Sequence, residues 1–152
     1  MNWELKTFEE LSNTALYKIL QLRCEVFVVE QNCPYLDEDD KDQECYHFMC
    51  WKDGLLAAYT RILPAGLAFE EASIGRVVTS AKARGEGLGR SLMLESIKAL
   101  YQLYGEVPIK IGAQLYLRDF YLSLGFLQVS DSYLEDNIPH IKMLKTIATD
   151  NL

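Results

Sequence analysis

The chain has 152 residues, of which 49% are hydrophobic and 24% charged. That is enough for a full core in one domain, and it excludes wholesale disorder or a collagen-like repeat. No apolar run approaches the ~20 residues of a membrane helix, so no membrane partner is expected. The net charge of −7 works against nucleic acid as a partner, because affinity for phosphate backbones comes from cationic contacts.

Met1–Lys6 shows no basic segment followed by an apolar stretch, so the expected location is the cytoplasm. Cys24, Cys33, Cys45 and Cys50 then read as reduced thiols. They include no Cys-x-x-Cys spacing and only His47 lies among them, so no metal is expected, although a cysteine–histidine site is the reading from another class.

In chain order, Trp3 to Lys6 reads as a first strand. Thr7-Phe8-Glu9-Glu10 has the spacing of a capping box and predicts a helix start. Leu16, Ile19, Leu20, Leu22, Val26 and Phe27 recur at helical intervals, so helix is expected to about Glu30, ending before Pro34. Asp37, Glu38, Asp39, Asp40, Asp42 and Glu44 form an acidic run interrupted by Lys41. Cys45 to Lys52 and Leu55 to Leu63 read as strands joined at Asp53-Gly54, a hairpin turn pair. Pro64-Ala65-Gly66 breaks the second, and a strand over Ala72 to Thr79 follows. After the glycine-rich Arg84 to Arg90 comes a strong helix with Leu88, Leu92, Ile97, Leu100 and Leu103 on its buried face, ended by Gly105. Val107 to Ala113 is expected as strand and Leu115 to Leu124 as helix, closed by Gly125. Phe126–Val129 and Ile141–Ile147 complete the sheet, and the last few residues are expected to fray. Hairpins early and strand–helix–strand units late predict an α+β sandwich, with a mixed, mostly antiparallel sheet between helices, not a doubly wound sheet.

The segment that carries chemistry runs from Val77-Val78-Thr79 through Arg84-Gly85-Glu86-Gly87-Leu88-Gly89-Arg90. It is a strand, a turn and then glycines at a helix start, where unpaired N–H groups and the helix dipole make an anion site. Neither phosphate-loop pattern fits. A P-loop would need glycine at Arg84 and lysine at Arg90, and a dinucleotide fingerprint would need glycine at Arg90. What fits is Arg84-x-x-Gly87-x-Gly89, which resembles the acetyl-CoA signature of the GNAT family of N-acetyltransferases. A second stretch, Gln114 through Tyr121-Leu122-Ser123-Leu124-Gly125-Phe126, is similar to that family's late helix. Leu22 to Tyr35, with the acidic run and His47, resembles the ElaA-like branch.

The resemblance implies a GNAT fold over nearly the whole chain and acetyl-CoA as cosubstrate. N–H groups from Gly85, Glu86, Gly87, Leu88, Gly89 and Arg90 would hold the pyrophosphate, with Arg84 beside it. Val77, Val78 and Thr79 would pair by backbone with the pantetheine arm. Gln114 stands where the family usually has Asn and would hydrogen-bond the cofactor. Tyr121 would protonate the departing thiolate, with Tyr116 in reserve. A base is needed to free the attacking amine; His47, Glu71, Ser73 under a two-residue loop shift, and ordered water remain open. The acidic run reads either as a solvated loop or as a rim that gathers a cationic acceptor amine. A calcium loop is not expected, since the glycine position counted from Asp37 is Asp42. A homodimer is open, as many family members dimerise, and so is a CoA-binding module that transfers nothing.

Overall fold

The computed structural model describes residues 1–147. The expected fraying of the last few residues falls on 148–152 and lies outside them. Four antiparallel strands come first in spatial order β1-β2-β3-β4: β1 Asn2–Thr7, β2 Tyr46–Lys52, β3 Leu55–Leu63 and β4 Ser73–Thr79. Asp53 (φ +50°) and Gly54 (φ +80°) turn β2 into β3 as predicted. A second sheet is ordered β5-β8-β6, from β5 Ile109–Gln114, β6 Leu127–Gln128 and β8 Ile138–Lys145, with the short β7 Tyr133–Glu135 also paired to β8. The two sheets meet where Ala72 bridges Ile109 in parallel and the Lys110 N–H donates to the Ala72 carbonyl at 3.0 Å.

Helices cover both faces. Helix α1, Asn13–Arg23, continues as a π-helical turn over Cys24–Glu30. Its Ile19, Leu22 and Val26 pack on Met49, Leu56, Tyr59 and Val78. Helix α2, Leu88–Tyr104, and the short α3, Arg118–Leu122, lie in the larger core. There Leu92, Met93, Ile97 and Leu100 meet Phe48, Ile62, Ile74 and Ile109. Among the described residues no helix is long and apolar enough to cross a membrane.

Several boundaries differ from the sequence expectation for definite reasons. The capping-box bonds form, with the Thr7 N–H donating to Glu10 Oε1 at 2.8 Å and the Glu10 N–H to Thr7 Oγ1 at 3.3 Å. They close only a turn, because Thr7 is still paired to Tyr46 in the sheet. The helix starts later, capped by Ser12, whose Oγ accepts from the Ala15 N–H at 3.0 Å. The helix expected over Leu115–Leu124 is a 3₁₀ turn, Leu115–Leu117, followed by five α-helical residues. The β7–β8 hairpin has no sequence-predicted counterpart; it turns on Asp136 and Asn137, both at positive φ.

Candidate active site

Past the Ala72–Ile109 bridge, β4 and β5 separate, and a cleft of about 470 Å³ opens between them. Ile74 to Thr79 form one wall and Ile111 to Gln114 the other. Phe120 and Tyr121 enter from α3, while Val26, Phe27, Glu30, Gln31 and Tyr35 come from the π-helical turn and the segment after it. The edge of β4 that faces the cleft is a free strand edge, whose unpaired backbone groups can receive an extended ligand.

The glycine-rich loop stands at the end of β4. Gly85 (φ +105°) and Gly87 (φ +69°) hold conformations that side chains other than glycine rarely adopt, and a Cβ on either would meet nothing within 4 Å. The loop is therefore shaped by its glycines yet open above them. Gly87 is the N-cap of the 17-residue α2, so the N–H groups of Leu88, Gly89 and Arg90 lack intrahelical acceptors and the dipole adds positive potential. The side chain of Glu86 is exposed. Arg84 folds back on the strand: Nη2 donates to the Thr79 carbonyl at 3.0 Å, Nε to Thr79 Oγ1 at 3.4 Å, and Nη1 to Glu30 Oε2 at 2.8 Å. Arg90 Nη1 donates to Ser123 Oγ at 2.8 Å, beside α3. Gln114 Nε2 reaches Gln31 Oε1 at 3.3 Å, so both walls are tied to the covering segment. Val77 and Thr79 are half-buried and line the cleft, while Val78 is buried among core residues.

Tyr121 lies on the cleft with only 5% of its surface exposed. Its ring packs edge-on against Phe120 and Phe126, at 5.1 and 5.9 Å between centroids. Its hydroxyl has no hydrogen-bond partner among the described residues. Burial, with the neighbouring Tyr116 adding to it, pushes the phenol well above its ordinary value of 10. The group is thus held protonated and free to donate. Tyr116 also lines the cleft but is 74% exposed.

The two side chains considered as bases do not reach this cleft. His47 is fully buried on β2, with Nδ1 2.7 Å from the Tyr59 hydroxyl and Nε2 2.8 Å from the Asp42 carbonyl. A carbonyl only accepts, so Nε2 carries the proton and Nδ1 accepts from Tyr59. Burial lowers the pKa of His47 and both nitrogens are engaged, which corrects its reading as a base. Glu71 adjoins Ala72, where the two sheets are still joined, at the closed end of the opening. Ser73 is buried in the β3–β4 ladder opposite Leu63.

The acidic run is not solvated throughout. Asp37, Asp39 and Asp42 turn inward onto three arginines brought from α1, β3 and β4. Arg23 is 1% exposed; its Nε lies 2.6 Å from Asp37 and its Nη1 2.9 Å from Asp42. Arg61 donates from Nη1 to Asp42 at 2.9 Å and to Asp39 at 2.8 Å, and Arg76 pairs with Asp37 at 2.7 Å. Burial alone would raise the Asp42 carboxyl, but hydrogen bonds and charge from Arg23 and Arg61 hold it below the usual range. Asp39 is lowered in the same way by Arg61 and Arg76. Only Glu38, Asp40 and Glu44 of the run's acids are exposed. The cysteines do not converge either: Cys33 Sγ donates to the Asp136 carbonyl, Cys45 Sγ to that of Lys41, Cys50 contacts Met1, and Cys24 is exposed. No group of three or more potential metal ligands gathers among the described residues.

Sequence reasoning missed the covering segment as a wall of the cleft, and it missed Arg76. That residue sits in β4 at φ +51° and lines the cleft. The repeated valines beside it gave no hint of a break in the strand.

Two splayed sheets, with a glycine-rich helix start beside the free edge of β4 and a phenol on the opposite wall, define an acyltransferase fold. The chain belongs to the GNAT family: the Acetyltransferase (GNAT) domain matches residues 12–147. It is 43% identical over 149 residues to Protein ElaA of Escherichia coli strain K12, covering 97% of each chain. The crystal structure of Escherichia coli ElaA superposes with a TM-score of 0.88, over 95% of this chain and 98% of that one. An acyl-CoA N-acyltransferase from Pseudomonas aeruginosa superposes at 0.90, with 42% identity over 96% of this chain and 100% of its own. An aminoglycoside 6'-N-acetyltransferase complexed with coenzyme A shares the fold at a TM-score of 0.68 and 15% identity, covering 97% of this chain and 99% of that one.

Proposed function

We propose that this chain transfers the acetyl group of acetyl-CoA to a primary amine by direct attack. The observation that carries the reading is the cleft itself, which joins an open, glycine-built anion site, a free strand edge and a protonated phenol in one continuous space. The pyrophosphate would sit on the N–H groups of Gly85 to Arg90, with the pantetheine arm along Val77 to Thr79. A backbone N–H near Val78 would polarise the thioester carbonyl. The amine lone pair attacks the carbonyl carbon, the carbon–sulfur bond breaks, and the departing thiolate takes the Tyr121 proton, which solvent later restores.

The ammonium proton must leave before attack. No imidazole lines the described cleft, and its one carboxylate, Glu30, is held by Arg84, so water is the proton acceptor in this reading. A cationic amine such as a polyamine or lysine suits the net charge of −7, although the inward-turned aspartates leave only Glu38, Asp40 and Glu44 of the acidic run to attract it.

Thermal unfolding with acetyl-CoA, ATP or NAD tests the cofactor. A ligand at a hundredfold its dissociation constant stabilises by about 2.7 kcal/mol, which for a chain of this length raises the midpoint by roughly 5–10 °C. Acetyl-CoA alone should do so, and thiol release with an amine panel then separates transfer from mere binding. A shift with a nucleotide and none with acetyl-CoA would overturn the reading.

A further inference from the structure

The ladder between β3 and β4 slips at one place. Tyr59 faces Val78 and Arg61 faces Gly75, so Thr60 on β3 is opposed by two residues, Arg76 and Val77. This is a β-bulge, which leaves the extra residue out of the ladder and bends the strand. Arg76 is the residue at φ +51°. Every other described non-glycine residue at positive φ lies in a turn or connecting segment, namely Asn32, Asp40, Asp53, Asp136 and Asn137. A long side chain in the left-handed region persists only where its surroundings over-determine it.

Those surroundings come from the acidic run. Arg76 Nε is 2.7 Å from Asp37 Oδ1, Nη2 donates to the Asp37 carbonyl at 2.7 Å, and Nη2 lies 3.5 Å from Asp39 Oδ2. Asp37 and Asp39 are themselves fixed by Arg23 and Arg61. The guanidinium is thus held by three contacts to two aspartates, and it belongs to the one strand residue whose backbone needs holding. The bulge lines the cleft, next to the stretch of β4 that would face the thioester.

We infer that Asp37 and Asp39, acting through Arg76, are positioning residues that hold the β4 bulge so that its backbone N–H groups meet the acyl carbonyl. The inference rests on the acyl-CoA reading above and gives the acidic run a role in it. In it these two aspartates serve the reaction by fixing a backbone, not by gathering substrate.

The carbonyl in question is present in acetyl-CoA and absent from CoA, so the two ligands separate positioning from general damage. Dissociation constants for both are measured by calorimetry on the unaltered chain and on Arg76→Ala and Arg76→Gly. Arg76→Ala removes the anchor and keeps the strain; it should weaken acetyl-CoA by about five- to tenfold while CoA changes less than about twofold. Arg76→Gly removes the anchor and the strain together, and its acetyl-CoA affinity should lie between those of Arg76→Ala and the unaltered chain. Asp37→Asn should lower the acetyl-CoA to CoA preference as Arg76→Ala does. It also strips Arg23 of a partner, so if it fails to fold the Arg76 variants still decide. Equal weakening of both ligands in Arg76→Ala, no change in either, or a glycine variant no better than alanine would each overturn the inference. An unaltered chain that binds neither ligand would instead overturn the acyl-CoA reading beneath it.

Discussion

Tyr121→Phe separates a catalytic phenol from a core aromatic, because the structure predicts a small effect on stability and a large one on turnover. The ring carries the packing: it meets Phe120 and Phe126 edge-on and is buried to 5% exposure. Phenylalanine keeps all of that. The hydroxyl has no protein partner to lose, so the change in folding stability should stay below about 1 kcal/mol, the net worth of a typical hydrogen bond. At this chain length that is a midpoint shift of no more than about 4 °C. Acetyl-CoA affinity should be nearly unchanged as well. Turnover depends on the proton, and a positioned general acid contributes about 10²–10⁴-fold, so CoA release should fall by about 100-fold or more. Because burial pushes the phenol above its ordinary value, activity of the unaltered chain should show no loss from Tyr121 ionisation up to pH 10. The assay is thiol release from acetyl-CoA with spermidine and with lysine, beside calorimetric acetyl-CoA binding and thermal unfolding. If the variant loses affinity and turnover in equal measure, or unfolds many degrees lower with turnover preserved, Tyr121 is packing and the proton comes from elsewhere.

Two predictions concern the ionic cluster. Arg23→Ala should destabilise by about 3–5 kcal/mol, the cost of leaving a buried ion pair half-made; a thermal midpoint lower by on the order of 10 °C is expected, and a loss of under a degree would show that Arg61 and Arg76 suffice alone. Acid should destabilise the fold in two stages. The pKa of His47 is lowered from 6.5 by burial, so the unfolded chain binds the extra proton first and stability falls as pH drops below about 6.5. Asp39 and Asp42 are lowered from 3.8, so their contribution is present above about pH 4 and is lost as pH falls further. Urea midpoints between pH 8 and 3 measure both, and His47→Gln should flatten the upper stage alone.

What the sequence made legible was local. Asp53-Gly54 announces its hairpin because the turn needs positive φ at both positions, and the glycines between Arg84 and Arg90 announce a tight turn ahead of a long amphipathic helix. The helix start was misplaced at Thr7 although its capping bonds are real, since pairing to Tyr46 outweighs a local motif. The β7–β8 hairpin was missed because Tyr133–Glu135 is three residues long, with a mostly exposed pattern. Its Asp136-Asn137 turn was the available signal. The cluster on the acidic run joins residues up to 39 positions apart, and no spacing rule links them. A run of acids looks like a solvated face until the fold supplies arginines from three elements.

That non-local pairing bears on how the proposed acceptor is chosen. Three arginines and three aspartates cancel, so the cluster projects little field, and much of the acidity that looked available for steering is spent on holding the segment that covers the cleft. Long-range attraction then falls to the remaining surface acids, which salt screens over about 8–10 Å. Discrimination among acceptors would, under the proposed function, fall to short-range groups on the cleft: Tyr35, whose hydroxyl is committed to Asp37 at 3.0 Å, the Gln31–Gln114 pair, and the exposed Tyr116. These groups are neutral, and the charged side chains that line the same cleft are already paired, Glu30 with Arg84 and Arg76 with Asp37, so selection would be by shape and by unmet hydrogen bonds rather than by charge. On this reading, the acidic run contributes to the reaction mainly by making the backbone of β4 and the roof of the cleft stiff enough for such contacts to discriminate.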